Sequence, residues 1–173
     1  MERDELRDSL RAELDSTRQE FYGLVNSLSD QDLERRSLNP GWTNRELLFH
    51  ILLAFILLES LGPMARFWGR LPRSAFKPFA WLLDAFTGPF NWVNALGPRG
   101  AGRVFTRARL LKRYDRVHQI ALKMIDSMSD EEWARGMYYP ARWDPLFSGY
   151  MTIEQVFRYP AIHFHFHAQQ IAR

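Results

Sequence analysis

The sequence predicts an all-α protein, a four-helix bundle with a long crossover between its second and third helices and approximate internal twofold symmetry. Three observations predict it. Apolar residues recur at helical spacing along four long stretches, capping signals open the second and fourth of them, and the two halves of the chain echo one another.

The first helix is read over residues 3 to about 28, where Leu6, Leu10, Leu14, Phe21, Leu24 and Leu28 form an apolar stripe between charged residues. Ser29-Asp30-Gln31-Asp32 resembles a new helix start, and Asn39-Pro40-Gly41 reads as a turn. The second helix begins at Thr43, whose hydroxyl can cap exposed amides while Glu46 reaches back. It runs through Leu47, His50, Ala54, Leu57 and Leu61 and is expected to stop near Gly62-Pro63. Leu48, Leu52 and Phe55 make its other face apolar too, the mark of a buried helix.

Residues 62–105 differ in character. Prolines at 63, 72, 78, 89 and 98 and frequent glycines accompany dense aromatics, among them Phe67, Trp68, Trp81, Phe86, Phe90 and Trp92. This stretch reads as a long crossover or lid with one or two short helices, one near residues 78–86. A third helix follows over 106–128, with Leu111, Tyr114, Val117, Leu122 and Ile125 on its inner stripe. The fourth runs from Thr152 toward the C-terminus, with Pro160 expected to bend it.

The internal echo pairs residues 26–33 (NSLSDQDL) with 126–133 (DSMSDEEW). Each segment leads into a Trp-bearing loop (Trp42, Trp143), then a capping pair (Thr43/Glu46, Thr152/Gln155), then a helix carrying histidine. Two helix–loop–helix halves of this kind suit a pseudo-twofold bundle.

The 173 residues suit one domain spanning 1–173, and 46% hydrophobic with 25% charged residues is a globular balance. With no cysteine, disulfides and thiolate chemistry are excluded, and any metal must sit on histidine or carboxylate. Net charge is only +3 and the basic residues are interspersed with acids, so no nucleic-acid partner is expected. The charged opening Met1–Glu5 lacks a signal-peptide core, and the Ile51–Leu58 apolar run is shorter than the ~20 residues of a membrane span. A cytoplasmic location is the expectation.

Histidine carries the chemistry. On a helix, His163 and His167 lie at i and i+4, with Cβ atoms ~5–6 Å apart on one face. His165 points ~200° away and cannot join them. His50, on the inner stripe of the second helix, is the natural third ligand for a divalent ion such as Zn or Ni. Three protein ligands leave positions open for substrate, as in catalytic sites. His118 lies beside the third helix's inner stripe and reads as structural, and Gln170 as a residue that could orient a ligand. The alternation of Ile162, Phe164 and Phe166 with histidines also fits a strand, but no partner strands are evident, and a lone strand leaves backbone groups unpaired.

The stretch Gly41-Trp42-Thr43-Asn44-Arg45-Glu46-Leu47-Leu48-Phe49-His50 and the closing His163-Phe-His-Phe-His167-Ala-Gln-Gln170-Ile171 together resemble the DinB-like (damage-inducible) metal-binding bundle superfamily. The resemblance implies a four-helix bundle with a metal held by His50, His163 and His167, the set that helical geometry also selects. Some relatives are bacillithiol or mycothiol S-transferases, and a related branch isomerises maleylpyruvate. By that resemblance the expected activity is metal-dependent chemistry on a small molecule, with a low-molecular-weight thiol as partner.

The alternatives are a non-catalytic binding module and a peripheral membrane protein. The first draws on the absence of any carboxylate with a readable spacing to the histidines; Glu59 and Asp115 have none. The second draws on Arg66, Arg70, Arg73 and Lys77 interleaved with aromatics. Burial of those aromatics against the bundle or in a homodimer is preferred.

Overall fold

The computed structural model describes residues 2–70, 76–102 and 104–173. Four long helices make the bundle: α1 (Glu2–Ser27), α3 (Asn44–Trp68), α6 (Arg107–Ser127) and α8 (Ile153–Ala168). Between them lie the short helices α2 (Asp30–Glu34) and α7 (Asp130–Trp133), the crossover helices α4 (Phe76–Ala85) and α5 (Thr87–Gly102), and strands β1 (Gly136–Tyr138) and β2 (Tyr150–Thr152). The chain folds as a four-helix bundle, as its periodicity predicts.

The helix starts obey their capping signals. The Thr43 amide donates to Glu46 Oε2 at 2.7 Å and the Glu46 amide to Thr43 Oγ1 at 3.3 Å. Thr152 and Gln155 repeat the exchange at 2.9 and 3.2 Å. Ser29 and Asp32 cap α2 in the same way, and at α7 the Ser129 amide donates to Glu132 at 2.9 Å. Packing repeats this pairing. α1 lies against α6 and α8, and α3 lies against α6 and α8. Exchanging α1 with α6 and α3 with α8 leaves these contacts unchanged, and the sequence-consecutive helices α1 and α3 face one another across the diagonal.

The core fills the space between the four. Leu10, Leu14 and Phe21 of α1 meet Leu48, Ile51, Leu52 and Phe55 of α3, Tyr114 and Ile125 of α6, and Phe157 of α8, all fully buried. The Tyr114 ring stacks on Phe21 at 4.6 Å and lies 4.6 Å from Phe55. α3, apolar on most sides, is the central helix. Residues 44–67 are long and apolar enough to cross a bilayer, with mean hydropathy 2.0 against the shorter span read from the sequence. Since 61% of that window is buried in the bundle, the same apolarity serves the core.

Three boundaries differ from expectation. α3 does not stop at Gly62-Pro63 but continues to Trp68. Tertiary anchors offset the lost backbone bond at Pro63: Ala65 is fully buried, and Arg66 grips Glu132 through Nε at 3.0 Å and Nη2 at 2.9 Å. The crossover is mostly helical rather than irregular, since α5 runs through six Gly and Pro positions packed on α3. Pro89 sits in its first turn, where an amide has no intrahelical partner. α8 is helical on both sides of Pro160 but ends at Ala168, not at the C-terminus. The tail turns back because Asn44 claims it: Asn44 Nδ2 donates to the Ala172 carbonyl at 2.7 Å, and the Ala172 amide to Asn44 Oδ1 at 3.0 Å.

The β1–β2 hairpin has no counterpart in the sequence reading. It pairs Gly136 with Thr152 and Tyr138 with Tyr150, and it does not involve the histidine segment, which is helical. Its loop returns toward α8 and brings Trp143 and Asp144 to the histidine end. Of the basic–aromatic stretch, Arg73 and the side chains of Phe76, Lys77 and Phe79 lie outside the described residues. Arg66 is committed to Glu132 and Ser127, while Phe67 and Trp81 are exposed.

Candidate metal centre

His50 lies two turns into α3, and His163 and His167 lie in the last two turns of α8. α3 and α8 run antiparallel, so the start of one meets the end of the other, and all three imidazoles are buried. His50 Nε2 lies 3.2 Å from His167 Nε2 and 3.2 Å from His163 Nε2. One nitrogen of each ring falls within 4.8 Å of the other two. The i, i+4 spacing selected His163 and His167, and the inner stripe of the second helix selected His50. His165 faces outward, 54% exposed, with Nδ1 3.6 Å from Glu20.

A hydrogen-bond network holds the rings. His167 Nδ1 donates to Gln170 Oε1 at 2.9 Å, and Asn39 Nδ2 donates to the same oxygen at 2.9 Å. The Nδ1 proton is thereby fixed, and the Nε2 lone pair of a neutral His167 points at His50. Gln170 does act on the histidine face as expected, though from a turn beyond α8 rather than along the helix. The Trp42 ring covers His50 at 4.6 Å, and its indole Nε1 donates to the Ala95 carbonyl of α5 at 3.2 Å.

Two polar residues near the rings escaped the sequence reading. Asp144 Oδ2 lies 3.8 Å from His163 Nε2 and accepts from Tyr159 Oη at 2.8 Å. Asn94 of α5 adjoins His50 and acts against the lowering of its pKa by burial. Both come from the segments whose conformation the sequence did not disclose. A one-turn spacing, Tyr159 to His163, was the available hint for Asp144's partner. Glu59 and Asp115 belong elsewhere, the first to Arg113 at 3.1 Å and the second to Arg18 and Tyr22. His118 is also remote and pairs with Asp15 at 2.9 Å, in line with a structural role.

Electrostatics keep the cluster neutral. Burial, and then the neighbouring His167, push the His50 pKa down to about 3. Burial with His50 and His167 lowers His163 well below the ordinary value, and burial lowers His167 against the opposing pull of Gln170 and Asp144. Neutral imidazole is the metal-binding form.

The donor set fits a cation. His50 Nε2 faces two rings at once, so one proton there satisfies only one contact, whereas a central ion satisfies all three. Two of the three nitrogen pairs lie 3.2 Å apart and all three nitrogens lie within 4.8 Å of one another, a spacing that one ion held by His50, His163 and His167 would bridge. Leaving such buried nitrogens unsatisfied costs about 1–3 kcal/mol each.

Comparison with known proteins identifies the fold and the family. Among curated proteins none matches the chain. Two solved structures share its fold. One, described as the mycothiol-dependent maleylpyruvate isomerase, is 11% identical with a TM-score of 0.63, covering 96% of this chain and 60% of that one. The chain thus spans less than two thirds of that relative's length. The other, YfiT from Bacillus subtilis, described as a probable metal-dependent hydrolase with an unusual four-helix bundle topology, is 14% identical. Its TM-score is 0.61, with coverage of 95% of this chain and 83% of that one. The DinB superfamily profile matches residues 13–171, and the chain therefore belongs to the DinB superfamily.

Proposed function

We propose that His50, His163 and His167 hold one divalent metal ion through Nε2, and that the protein is a metal-dependent enzyme acting on a small molecule. The observation that carries this reading is the convergence of three buried, neutral imidazoles on one point. When bound, a divalent ion such as Zn or Ni lowers the pKa of a coordinated thiol or water and supplies a nucleophile at neutral pH. The chain's own residues supply the rest. Gln170 and Asn39 hold the His167 ring in the tautomer that presents Nε2. Trp42 and α5 exclude bulk water from His50. Asp144, oriented by Tyr159, is an acceptor positioned to take a proton from a nucleophile held at the cluster.

The finer reading is thiol S-transfer to an electrophile, with a low-molecular-weight thiol as second substrate. It is supported by superfamily membership and by the thiol named in one structural neighbour's description. A cytoplasmic site of action, where such thiols are reduced, belongs to the same reading. Exposed Trp81, Phe86 and Trp92 on the crossover favour a homodimer that covers them.

The test is metal analysis of protein purified without a histidine tag. One ion per chain is expected, with loss in His50→Ala, His163→Ala and His167→Ala. Metal content that is unchanged in His50→Ala contradicts the reading. Assay of thiols against electrophiles then separates enzyme from binding module, because metal-dependent turnover excludes binding alone.

A further inference from the structure

The helical crossover frames a second, larger space beside the histidines, partly open to solvent along Phe86 and Val93. A cavity of ≈ 320 Å³ is walled by Leu53 and Leu57 of α3, by Phe86, Phe90 and Val93 of the crossover, and by Trp143 of the hairpin loop. Asn94 is the one amide side chain among the described residues of this lining. Leu53, Leu57, Phe90, Asn94 and Trp143 also wall the small space bordered by His50, His163 and Asp144. The two spaces therefore share a partition.

That partition is built rather than incidental. Phe90 and Trp143 stack with centroids 4.2 Å apart and planes within 11° of parallel. Trp143 Nε1 donates to Thr87 Oγ1 at 3.1 Å, which fixes the indole between α5 and the hairpin loop. Asn94 touches both sides, lining the cavity and adjoining His50.

The lining decides what fits. Among the described residues no side chain of the lining carries charge, so a carboxylate or phosphate there would shed water without gaining a partner. A cavity of ~150 Å³ with similar walls holds benzene, and ligand sites begin near ~300 Å³. This one suits a single substituted aromatic ring or a branched alkyl group.

We propose that this cavity is the recognition site for the apolar part of the substrate, an uncharged aromatic or branched aliphatic group, with the reacting end directed past Asn94 to the histidines. The proposal rests on the metal-dependent reading and deepens it by naming a substrate class.

The probe is 4-fluorotoluene, followed by ¹⁹F NMR line width in metal-free, Zn²⁺-loaded and Co²⁺-loaded full-length protein. Saturable broadening is expected in the metal-free protein. Leu57→Trp and Val93→Trp, each filling the cavity from a different wall, should each weaken binding about tenfold or more. Val93 is 55% exposed, so its variant tests the cavity even where Leu57→Trp fails to fold. Val104→Ser, at a side chain 55% exposed and outside the cavity lining, should leave the affinity within about twofold. Co²⁺ should broaden the bound signal beyond Zn²⁺, because the paramagnetic ion would sit across the shared partition. Absence of saturable binding, binding retained in the folded filling variants, or binding abolished by Val104→Ser overturns the proposal. Equal line widths with Co²⁺ and Zn²⁺ in samples shown to hold one ion per chain do the same. Samples that take up no metal overturn the metal-dependent reading instead, and the metal-free titration still decides the cavity.

Discussion

Gln170 follows the end of α8 by two residues, yet its Oε1 accepts from both His167 and Asn39. Removing it leaves the His167 ring free to rotate and to change tautomer. Gln170→Ala is expected to weaken metal binding ~10–100-fold without unfolding the protein, the usual cost of losing a ligand's outer partner. A competition titration against a chelator measures it, and an affinity equal to wild type would remove Gln170 from the site. Asp144 is different, since it lies 3.8 Å from His163 Nε2 and is held by Tyr159. Asp144→Asn keeps the Tyr159 contact but removes the charge. It should leave metal content near wild type while lowering turnover ~10²–10⁴-fold, the ordinary weight of a general base.

At the scale of elements, the hairpin sets where α8 begins, because Gly136 of β1 pairs with Thr152, the cap of α8. A Cβ at Gly136 would lie 2.8 Å from the Met151 carbonyl carbon and 2.8 Å from Thr152 Cα. Both are backbone atoms that cannot swing aside. Gly136→Ala should destabilise by about 1–3 kcal/mol, the cost of overpacking, with a lower Tm on thermal unfolding. An unchanged Tm would mean that β1 is not tied to α8 in this way.

The same elements show what could be read in advance. His50, His163 and His167 were legible because 3.6-residue periodicity fixes which side chains share a helix face, and Thr43/Glu46 and Thr152/Gln155 fix where those helices start. Asp144 and Asn94 were not legible. One sits in the loop of a hairpin with three-residue strands, the other on a helix rich in Gly and Pro, and neither leaves a periodic trace. α3 overran Gly62-Pro63 for a related reason: the Arg66–Glu132 pair that anchors its last turn joins residues distant in sequence.

Across the whole molecule, burying three imidazoles ties stability to pH. Burial first, and the neighbouring rings second, lower the pKa of His50 to about 3 and also lower His163, while burial lowers His167. The unfolded chain takes up these protons near pH 6.5 and the metal-free folded chain does not. The unfolded state therefore binds more protons across the interval below that value, and stability rises with pH there. The contribution is complete above about pH 6.5 and is lost as pH falls toward the folded values, at up to ~1.4 kcal/mol per pH unit for each histidine. Urea unfolding of metal-free protein should give a midpoint that drops steeply between about pH 7 and pH 5. A midpoint flat over that range would contradict the burial described.

Pseudo-twofold packing explains why the site lies where it does. It brings the start of α3 against the end of α8, with Trp42 over one histidine and Trp143 near another. X-ray absorption at the metal edge of the Zn²⁺-loaded protein tests this convergence most directly. Three nitrogen neighbours at ~2.0–2.1 Å, with the outer-shell scattering of imidazole, are predicted. A first shell of oxygens with one imidazole or none, unchanged in His50→Ala, would contradict it.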